Sequence, residues 1–403
     1  MALQTIILAG GLGTRLGPLT KNLPKALIDI SGKSFISRQL EHLHSQGIKD
    51  VIICTGFLGD LIKKEISKIK LPLNIEIRND GNKLKGTGGA IKSCLDILDD
   101  HFFITWGDTH LPICLEETER DFLEQNKPCL MTLLKNLNQW DASNVIYKSG
   151  LVEEYNKKDA STEMEYIDYG ISVFSKRIFE EESLPDTFDL GDLVSQLAGR
   201  RQIAGKEVKK RFYEIGSPEG LKETQDYFLM LDNLKNMINV KGNIFLDRDG
   251  IINEVISREG VISSPRKISE FKFRTEIFRF MSHLKKKNIF IVTNQPDISR
   301  GLMPQSELEK INEIIKENLE INEIVFCPHG DDNSCDCRKP KPGMINSLID
   351  KYSLDRSDCL LIGDSQKDIG AAQAANIDSI LLKTNYNNFD HRGAYTEALT
   401  DLI

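Results

Sequence analysis

Twice along this chain a short, unbroken apolar run ends in a loop suited to binding rather than packing. The first is TIILAGGLG at 5–13 and the second is NIFLDRDG at 243–250. A run of this length, bounded by glycine or aspartate, is the pattern of a strand buried on both faces of a sheet. The first is followed by similar runs at 48–56 (IKDVIICTG), 101–108 (HFFITWGD) and 129–136 (CLMTLLKN), with amphipathic stretches such as 34–46 and 88–100 between them. The second is followed by 287–295 (KNIFIVTNQ), 322–330 (NEIVFCPHG), 358–364 (DCLLIGD) and 379–383 (SILLK). Strands alternating with helices imply α/β architecture, and the restart implies two doubly wound domains. Residues 220–243 read as a helical segment without strands, which places the boundary near Asn236–Gly242 and the domains at 1–235 and 243–403.

Composition narrows the classes. At roughly 150 residues per domain, 403 residues allow two or three domains, each with its own core. No segment approaches the ~18 consecutive apolar residues of a membrane span. The opening residues lack the basic flank of a signal peptide. A net charge of −8, from 52 basic against 60 acidic residues, disfavours nucleic acid as the main partner. A cytoplasmic location is expected. Cys54, Cys94, Cys114, Cys129 and Cys359 are scattered through apolar surroundings, as buried structural cysteines are. Cys327, Cys335 and Cys337 instead fall within eleven residues, with His329 among them. Three thiolates and an imidazole form a closed tetrahedral zinc set, with no position left for a catalytic water. A reactive thiol loop is the alternative.

In the first loop, Gly10, Gly11 and Gly13 let the backbone bring successive N–H groups to a polyphosphate. Thr14, in the same loop, is a further nucleotide-binding candidate; Arg15 suits the β/γ-phosphates, and Lys25 suits the α-phosphate as a point charge. Neither the dinucleotide fingerprint nor the Walker spacing is present. With Pro24-Lys25 behind the glycines, the segment resembles the signature of the sugar-phosphate nucleotidyltransferases, which implies a Rossmann-like sheet. The resemblance continues through Lys85-Gly86-Thr87-Gly88-Gly89, implying that Gly86, Thr87 and Gly88 hold the base by backbone contacts. Trp106-Gly107-Asp108 resembles the family's metal-holding strand end, so Asp108 is the implied Mg²⁺ ligand. Tyr155-Asn156-Lys157-Lys158 implies a lysine on the sugar phosphate, with Lys158 the better match, and Tyr166–Gly170 implies a sugar pocket containing Asp168. Phe212–Glu219 resembles the closing segment whose acid completes the metal site. Glu214 stands there in place of the expected aspartate, one methylene longer. The implied reaction is attack by a sugar 1-phosphate on the α-phosphorus of a nucleoside triphosphate, with loss of pyrophosphate.

In the second half Asp247 and Asp249 lie two apart at a strand end, so both carboxylates can converge on one ligand. With Thr293-Asn294-Gln295, Arg338-Lys339-Pro340 and Gly363-Asp364-Ser365-Gln366-Lys367-Asp368 they resemble the four motifs of the haloacid dehalogenase-like phosphatases. The resemblance implies Asp247 as nucleophile, Asp249 as acid and base, and Mg²⁺ held by Asp247, Asp364 and the backbone carbonyl of Asp249. Thr293 and Lys339 would hold phosphoryl oxygens, with Lys341 as the rival lysine and Asp368 as a supporting carboxylate. The zinc loop directly precedes Arg338-Lys339 and would fix it. With that loop, the half resembles heptose bisphosphate and histidinol-phosphate phosphatases, although the His329–Cys335 interval is shorter than that family's pattern. Asn294, Arg300 and Arg338 are candidates for the substrate's non-reacting end.

A phosphatase that yields a sugar 1-phosphate, fused to a transferase that consumes one, implies consecutive steps. D-glycero-D-manno-heptose 1,7-bisphosphate would lose its C7 phosphate, and the 1-phosphate would receive a nucleotidyl group. GTP is the expected donor, giving GDP-heptose for a surface polysaccharide such as lipopolysaccharide. Two alternatives stand beside this: a first half that only senses nucleotide or sugar phosphate, and a phosphatase acting on nucleic-acid 3′ ends.

Overall fold

The computed structural model describes residues 4–11, 13–56, 58–81, 84–159, 161–181, 183–330, 334–384, 386–387 and 394–403. The chain divides into two compact units, Met1–Leu229 and Met230–Ile403. The division falls inside one helix, Pro218–Val240, somewhat before Asn236–Gly242. Tyr227 of that helix stacks on Tyr213 in the first unit, whereas Lys235 donates to the Ile403 carbonyl in the second. The residues after Val240 mark the end of the helix, and the core changes earlier.

Nine strands form the main sheet of the first unit: β1 (Gln4–Ala9), β2 (Asp50–Thr55), β3 (Asn74–Asn79), β4 (His101–Trp106), β5 (Cys129–Lys135), β6 (Val145–Lys148), β7 (Leu151–Tyr155), β8 (Tyr166–Ser175) and β9 (Ile203–Val208). Their order is β3-β2-β1-β4-β8-β5-β9-β7-β6. The first four are parallel, as the alternating pattern implies. Beyond them the sheet is mixed, because β8 runs antiparallel to both β4 and β5. Apolar clusters cover both faces, one around Ile6, Phe102 and Phe174 and the other around Ile7, Phe103 and Val173. Neighbouring residues of one strand thus enter different cores, which accounts for the continuous apolar runs.

In the second unit β10 (Asn243–Leu246), β11 (Asn288–Asn294), β12 (Glu323–Cys327), β13 (Cys359–Gly363), β14 (Asp378–Leu382) and β15 (Tyr395–Thr396) form an all-parallel sheet ordered β12-β11-β10-β13-β14-β15. This is the doubly wound order, with its switch point between β10 and β13. The first unit has the same feature between β1 and β4. Ligands bind where strand order reverses, beyond the carboxyl ends of the strands. Both ligand-type loops start there. Among the described residues no helix is long and apolar enough to cross a membrane.

Candidate active sites

In the first unit Gly10 and Gly11 leave β1, and Gly107-Asp108 leaves the adjacent β4. A Cβ on Gly107 would stand 2.8 Å from the Ala9 Cβ, so glycine is what lets these two strand ends close up. Between them opens a cleft of about 790 Å³, lined by Gly10, Gly11, Lys25, Asp80, Gly86, Thr87 and Asp108. A second cleft, of about 1090 Å³, is lined by Arg15, Asp108, Lys157, Asp168 and Glu214. Trp106 and Asp108 line both, so the two clefts meet at Asp108. Lys25 Nζ lies 2.7 Å from Asp108 Oδ2, and Thr109 Oγ1 donates to Oδ1 at 3.1 Å. Glu214 arrives on a short strand paired with Thr109-His110. Its carboxylate accepts from the Gly216 N–H and from Ser217 Oγ. A Cβ on Gly216 would meet that carboxylate and would also stand 3.0 Å from Arg15 Nη2 and 3.1 Å from Lys25 Nζ. Arg15, Lys25 and Glu214 therefore converge on one backbone position.

Several sequence expectations change here. Gly88 does not face the nucleotide cleft: its N–H donates to the Phe188 carbonyl at 3.0 Å, and a Cβ there would strike the Phe188 ring. Gly86, at φ +74°, and Thr87 do line the cleft. Gly13 shapes the loop rather than touching the cleft, with φ +63° and its carbonyl held by Thr20 Oγ1 at 2.7 Å. The side chain of Thr14 lies outside the described residues. Lys158 points away from the sugar-side cleft, 84% exposed and 3.3 Å from Asp192. Its neighbour Lys157 faces the cleft, with Nζ 4.8 Å from the Trp106 ring centroid. The chain turns after β7, and Asn156 Oδ1 caps the Lys158 N–H, which sends the two lysines to opposite sides. Asp168 sits in the cleft wall, its Oδ1 accepting from the Gly170 N–H.

In the second unit the ionisable groups are buried. Asp247 follows β10, Asp364 follows β13, and their carboxylates with that of Asp368 lie within 4.8 Å of one another. Lys339 Nζ, 3% exposed, lies 2.8 Å from Asp247 Oδ1 and 2.5 Å from Asp368 Oδ1, and also donates to the Val292 carbonyl. Asp368 Oδ2 takes the Ser365 N–H and hydroxyl, closing a capping box on the helix Gln366–Ala375. Both its oxygens are engaged, as suits a supporting carboxylate. A Cβ on Gly250, at φ +87°, would strike the Asp364 carboxylate, so this glycine clears the space around it. Burial, followed by the charge of Asp368, pushes Asp364 up to about 7. The same two causes, in the same order, raise Asp247 well above the carboxylate range, with Lys339 opposing. Burial would raise Asp249 too, but Arg248, Asn253, Ser264 and Gln295 outweigh it and hold that carboxyl below its usual range.

A cleft of about 1340 Å³ opens over these groups, lined by Asp247, Asp249, Thr293, Arg300, Arg338 and Lys339. Asn294 lines it as well, yet its amide is spent on Lys339: Nδ2 donates to the Lys339 carbonyl and Oδ1 accepts the Lys339 N–H, both at 3.0 Å. It braces that lysine instead of reaching for substrate. Arg300 lies 3.3 Å from Asp297, and Arg338 Nη1 donates to the His329 carbonyl. Lys341 is turned to the Cys335 carbonyl, so of the two rival lysines Lys339 is the one in the site. Sequence reasoning missed the ring around Asp249 and the Tyr386 hydroxyl, which donates to Asp364 Oδ2 at 2.6 Å. Gln295 is part of the Thr293-Asn294-Gln295 motif, although no role was expected of it there; nothing in the local pattern marks Tyr386.

The four zinc-type side chains converge. Cys327 Sγ lies 3.5 Å from His329 Nδ1, 3.8 Å from Cys335 Sγ and 3.2 Å from Cys337 Sγ, and His329 Nδ1 lies 3.3 Å from Cys337 Sγ. A tetrahedron with metal–sulfur bonds of about 2.3 Å has edges of about 3.8 Å, so the donor set fits zinc.

Fold and sites together define a nucleotidyltransferase unit followed by a haloacid dehalogenase-like phosphatase unit. The nucleotidyl transferase family matches residues 4–225, more than half of the chain, and the chain belongs to that family. The HAD-hydrolase-like family matches residues 336–401. Over 233 residues the chain is 30% identical to the D-glycero-α-D-manno-heptose 1-phosphate guanylyltransferase of Campylobacter jejuni, covering 57% of this chain and 100% of the relative. Over 146 residues it is 36% identical to the D-glycero-α-D-manno-heptose-1,7-bisphosphate 7-phosphatase of the same organism, covering 34% and 80%. Among solved structures, HddC from Yersinia pseudotuberculosis is similar at 25% identity and a TM-score of 0.50, covering 56% of this chain and 99% of that one. The chain is thus a fusion of a nucleotidyl transferase with a relative of the heptose bisphosphate phosphatases.

Proposed function

We propose that this is a bifunctional enzyme of nucleotide-heptose synthesis: it removes the C7 phosphate of D-glycero-D-manno-heptose 1,7-bisphosphate and transfers GMP from GTP to the resulting 1-phosphate. One observation carries the reading. In each unit the loops after two adjacent parallel strands meet at the switch point, on glycine amides with Lys25 and Asp108 in one and on Asp247, Asp364 and Lys339 in the other. The relatives that match the two halves act, by name, on the two ends of one sugar, and both Campylobacter names specify the α anomer. The α configuration is therefore our proposal for this substrate.

In the phosphatase reading Asp247 attacks the phosphorus of the C7 phosphate, and the bond to the C7 oxygen breaks. Asp249 gives that oxygen a proton. Water then attacks the aspartyl-phosphate, returns a proton to Asp249, and frees Asp247 and inorganic phosphate. Lys339 and Thr293 hold the phosphoryl oxygens, while Arg300 and Arg338 face the substrate's other end. In the transferase reading Gly10 and Gly11 present amides to the triphosphate, Lys25 and Arg15 supply countercharge, and Lys157 holds the sugar phosphate as it attacks. Asp80 lines the nucleotide cleft, and its carboxylate suits the adjacent N1–H and N2–H donors of guanine.

Both families generally use Mg²⁺. In the second unit the converging carboxylates of Asp247 and Asp364 fit a hard cation, which they would hold with the Asp249 carbonyl. In the first, Asp108 would hold it, with Glu214 in the same cleft as the second carboxylate. When bound, it neutralises phosphate charge. Zinc on Cys327, His329, Cys335 and Cys337 would be structural, fixing the loop that presents Arg338 and Lys339. The test is to assay each half-reaction alone. Heptose 1,7-bisphosphate should release C7 phosphate, and heptose 1-phosphate with GTP should release pyrophosphate and yield GDP-heptose by mass. A first unit that binds GTP without releasing pyrophosphate, or a phosphatase that prefers histidinol phosphate or nucleic-acid 3′ ends, would refute it.

A further inference from the structure

Asp249 is held by four side chains of unequal chemistry. Its Oδ1 accepts from Arg248 Nε at 3.2 Å, Arg248 Nη2 at 3.0 Å and Asn253 Nδ2 at 3.0 Å. Its Oδ2 accepts from Gln295 Nε2 at 2.7 Å, Ser264 Oγ at 2.8 Å and Arg248 Nη2 at 3.1 Å. Guanidinium and amide –NH₂ groups only donate, whereas a hydroxyl donates or accepts. A proton on Oδ2 would therefore confront donors on every side unless one of them turns round. Arg248 cannot; Gln295 would have to flip its whole amide and give up its bond to Thr293 Oγ1, whereas Ser264 need only rotate its hydroxyl. Ser264 is also the one of the four that lines the phosphatase cleft. It directly follows the hairpin formed by Ile256–Arg258 and Val261–Ser263, and Arg258 Nη1 fixes its carbonyl at 2.8 Å.

We propose that Ser264 is a positioning residue for proton transfer in the phosphatase step. Its hydroxyl holds Asp249 Oδ2 at the cleft wall and, by reversing its hydrogen bond, lets that oxygen carry the proton that goes to the leaving alkoxide. The balance is simple. The Asp247–phosphorus bond forms as the bond from phosphorus to the alkyl oxygen breaks, and the proton passes from Asp249 Oδ2 to that oxygen. In the second half water bonds to phosphorus, Asp247 leaves, and the water proton returns to Oδ2. Ser264 keeps its own proton throughout. The inference rests on the reading of Asp249 as the acid.

The experiment measures single-turnover release of the leaving group, so that only the first half-reaction is read. Two substrates are compared: heptose 1,7-bisphosphate, whose alkoxide needs a proton, and p-nitrophenyl phosphate, whose phenolate does not. Ser264→Ala should slow the alkyl ester about tenfold with KM unchanged, and the aryl ester by less than about twofold. Ser264→Thr, which keeps the hydroxyl, should restore the alkyl rate. Ser264 is half-buried and its loss orphans no donor, so thermal midpoints should match that of the parent. Asp249→Asn serves as the reference and should show the same split, only larger. Equal losses on both esters in Ser264→Ala, or none, while Asp249→Asn shows the split, would overturn this inference alone. No split in Asp249→Asn would overturn the acid reading, and the inference with it.

Discussion

The two sites occupy the same place, beyond a switch point between adjacent parallel strands, and are built in opposite ways. The first is a cradle of backbone whose ion pair is partly open, Lys25 and Asp108 being 12% and 32% exposed. The second is a sealed cluster in which Lys339 and Asp368 are 3% and 0% exposed. The difference follows from the chemistry. Nucleotidyl transfer brings its own anionic nucleophile and needs position and countercharge. An aspartate that attacks phosphorus must itself be aimed and partly desolvated, so its neighbours are fixed around it.

The contrast is tested most severely by removing the lysine from each. Lys339→Met leaves two buried carboxylates unpaired, so the second unit should lose about 3–5 kcal/mol along with its phosphatase activity. Lys25→Met should cost under about 1 kcal/mol while slowing nucleotidyl transfer about a hundredfold. Denaturant unfolding of the two variants measures this, and equal destabilisation would erase the distinction. Next in size is zinc. We expect one zinc per chain, and stripping it with a chelator should lower phosphatase activity at least about tenfold while transferase activity stays within about twofold. Parallel loss of both would show that the zinc loop does not act locally.

The sealed site should also respond to pH. In metal-free protein Asp364 keeps its proton up to about 7, whereas the unfolded chain releases it near 4. The folded state therefore binds more protons between those values, and stability rises as pH falls. The contribution is complete below about pH 4 and is lost as pH climbs through 7. Asp364→Asn should flatten this part of the thermal profile, and a profile unchanged by that substitution would contradict it. The smallest effect separates two neighbours: Lys157→Ala should raise KM for the sugar phosphate about tenfold, while Lys158→Ala should change it by less than about twofold.

Residues at strand ends were legible because apolar run, glycine and carboxylate follow one another directly in sequence. Asp108, Asp247 and Asp364 lie where that pattern puts them. What failed depended on contacts from distant segments. Phe188 takes Gly88 away from the nucleotide, and the Lys339 backbone takes both ends of the Asn294 amide. A turn after β7 leaves Lys158 exposed beside Asp192 and brings Lys157 to the cleft. The antiparallel part of the first sheet was equally hidden, since an apolar run carries no sign of strand direction. Ser264 and Tyr386 reach their carboxylates from loops without a motif.

Two independent sites acting in sequence on one sugar make a prediction for the whole chain. The decisive measurement incubates the chain with heptose 1,7-bisphosphate, GTP and Mg²⁺ and follows products by mass, beside Asp247→Asn and Asp108→Asn. The parent should give GDP-heptose, Asp108→Asn should accumulate heptose 1-phosphate, and Asp247→Asn should leave the bisphosphate untouched yet convert added heptose 1-phosphate. Mixing the two variants should restore GDP-heptose. Loss of both half-reactions in either variant, or GDP-heptose absent from the parent, would rule out two independent consecutive sites.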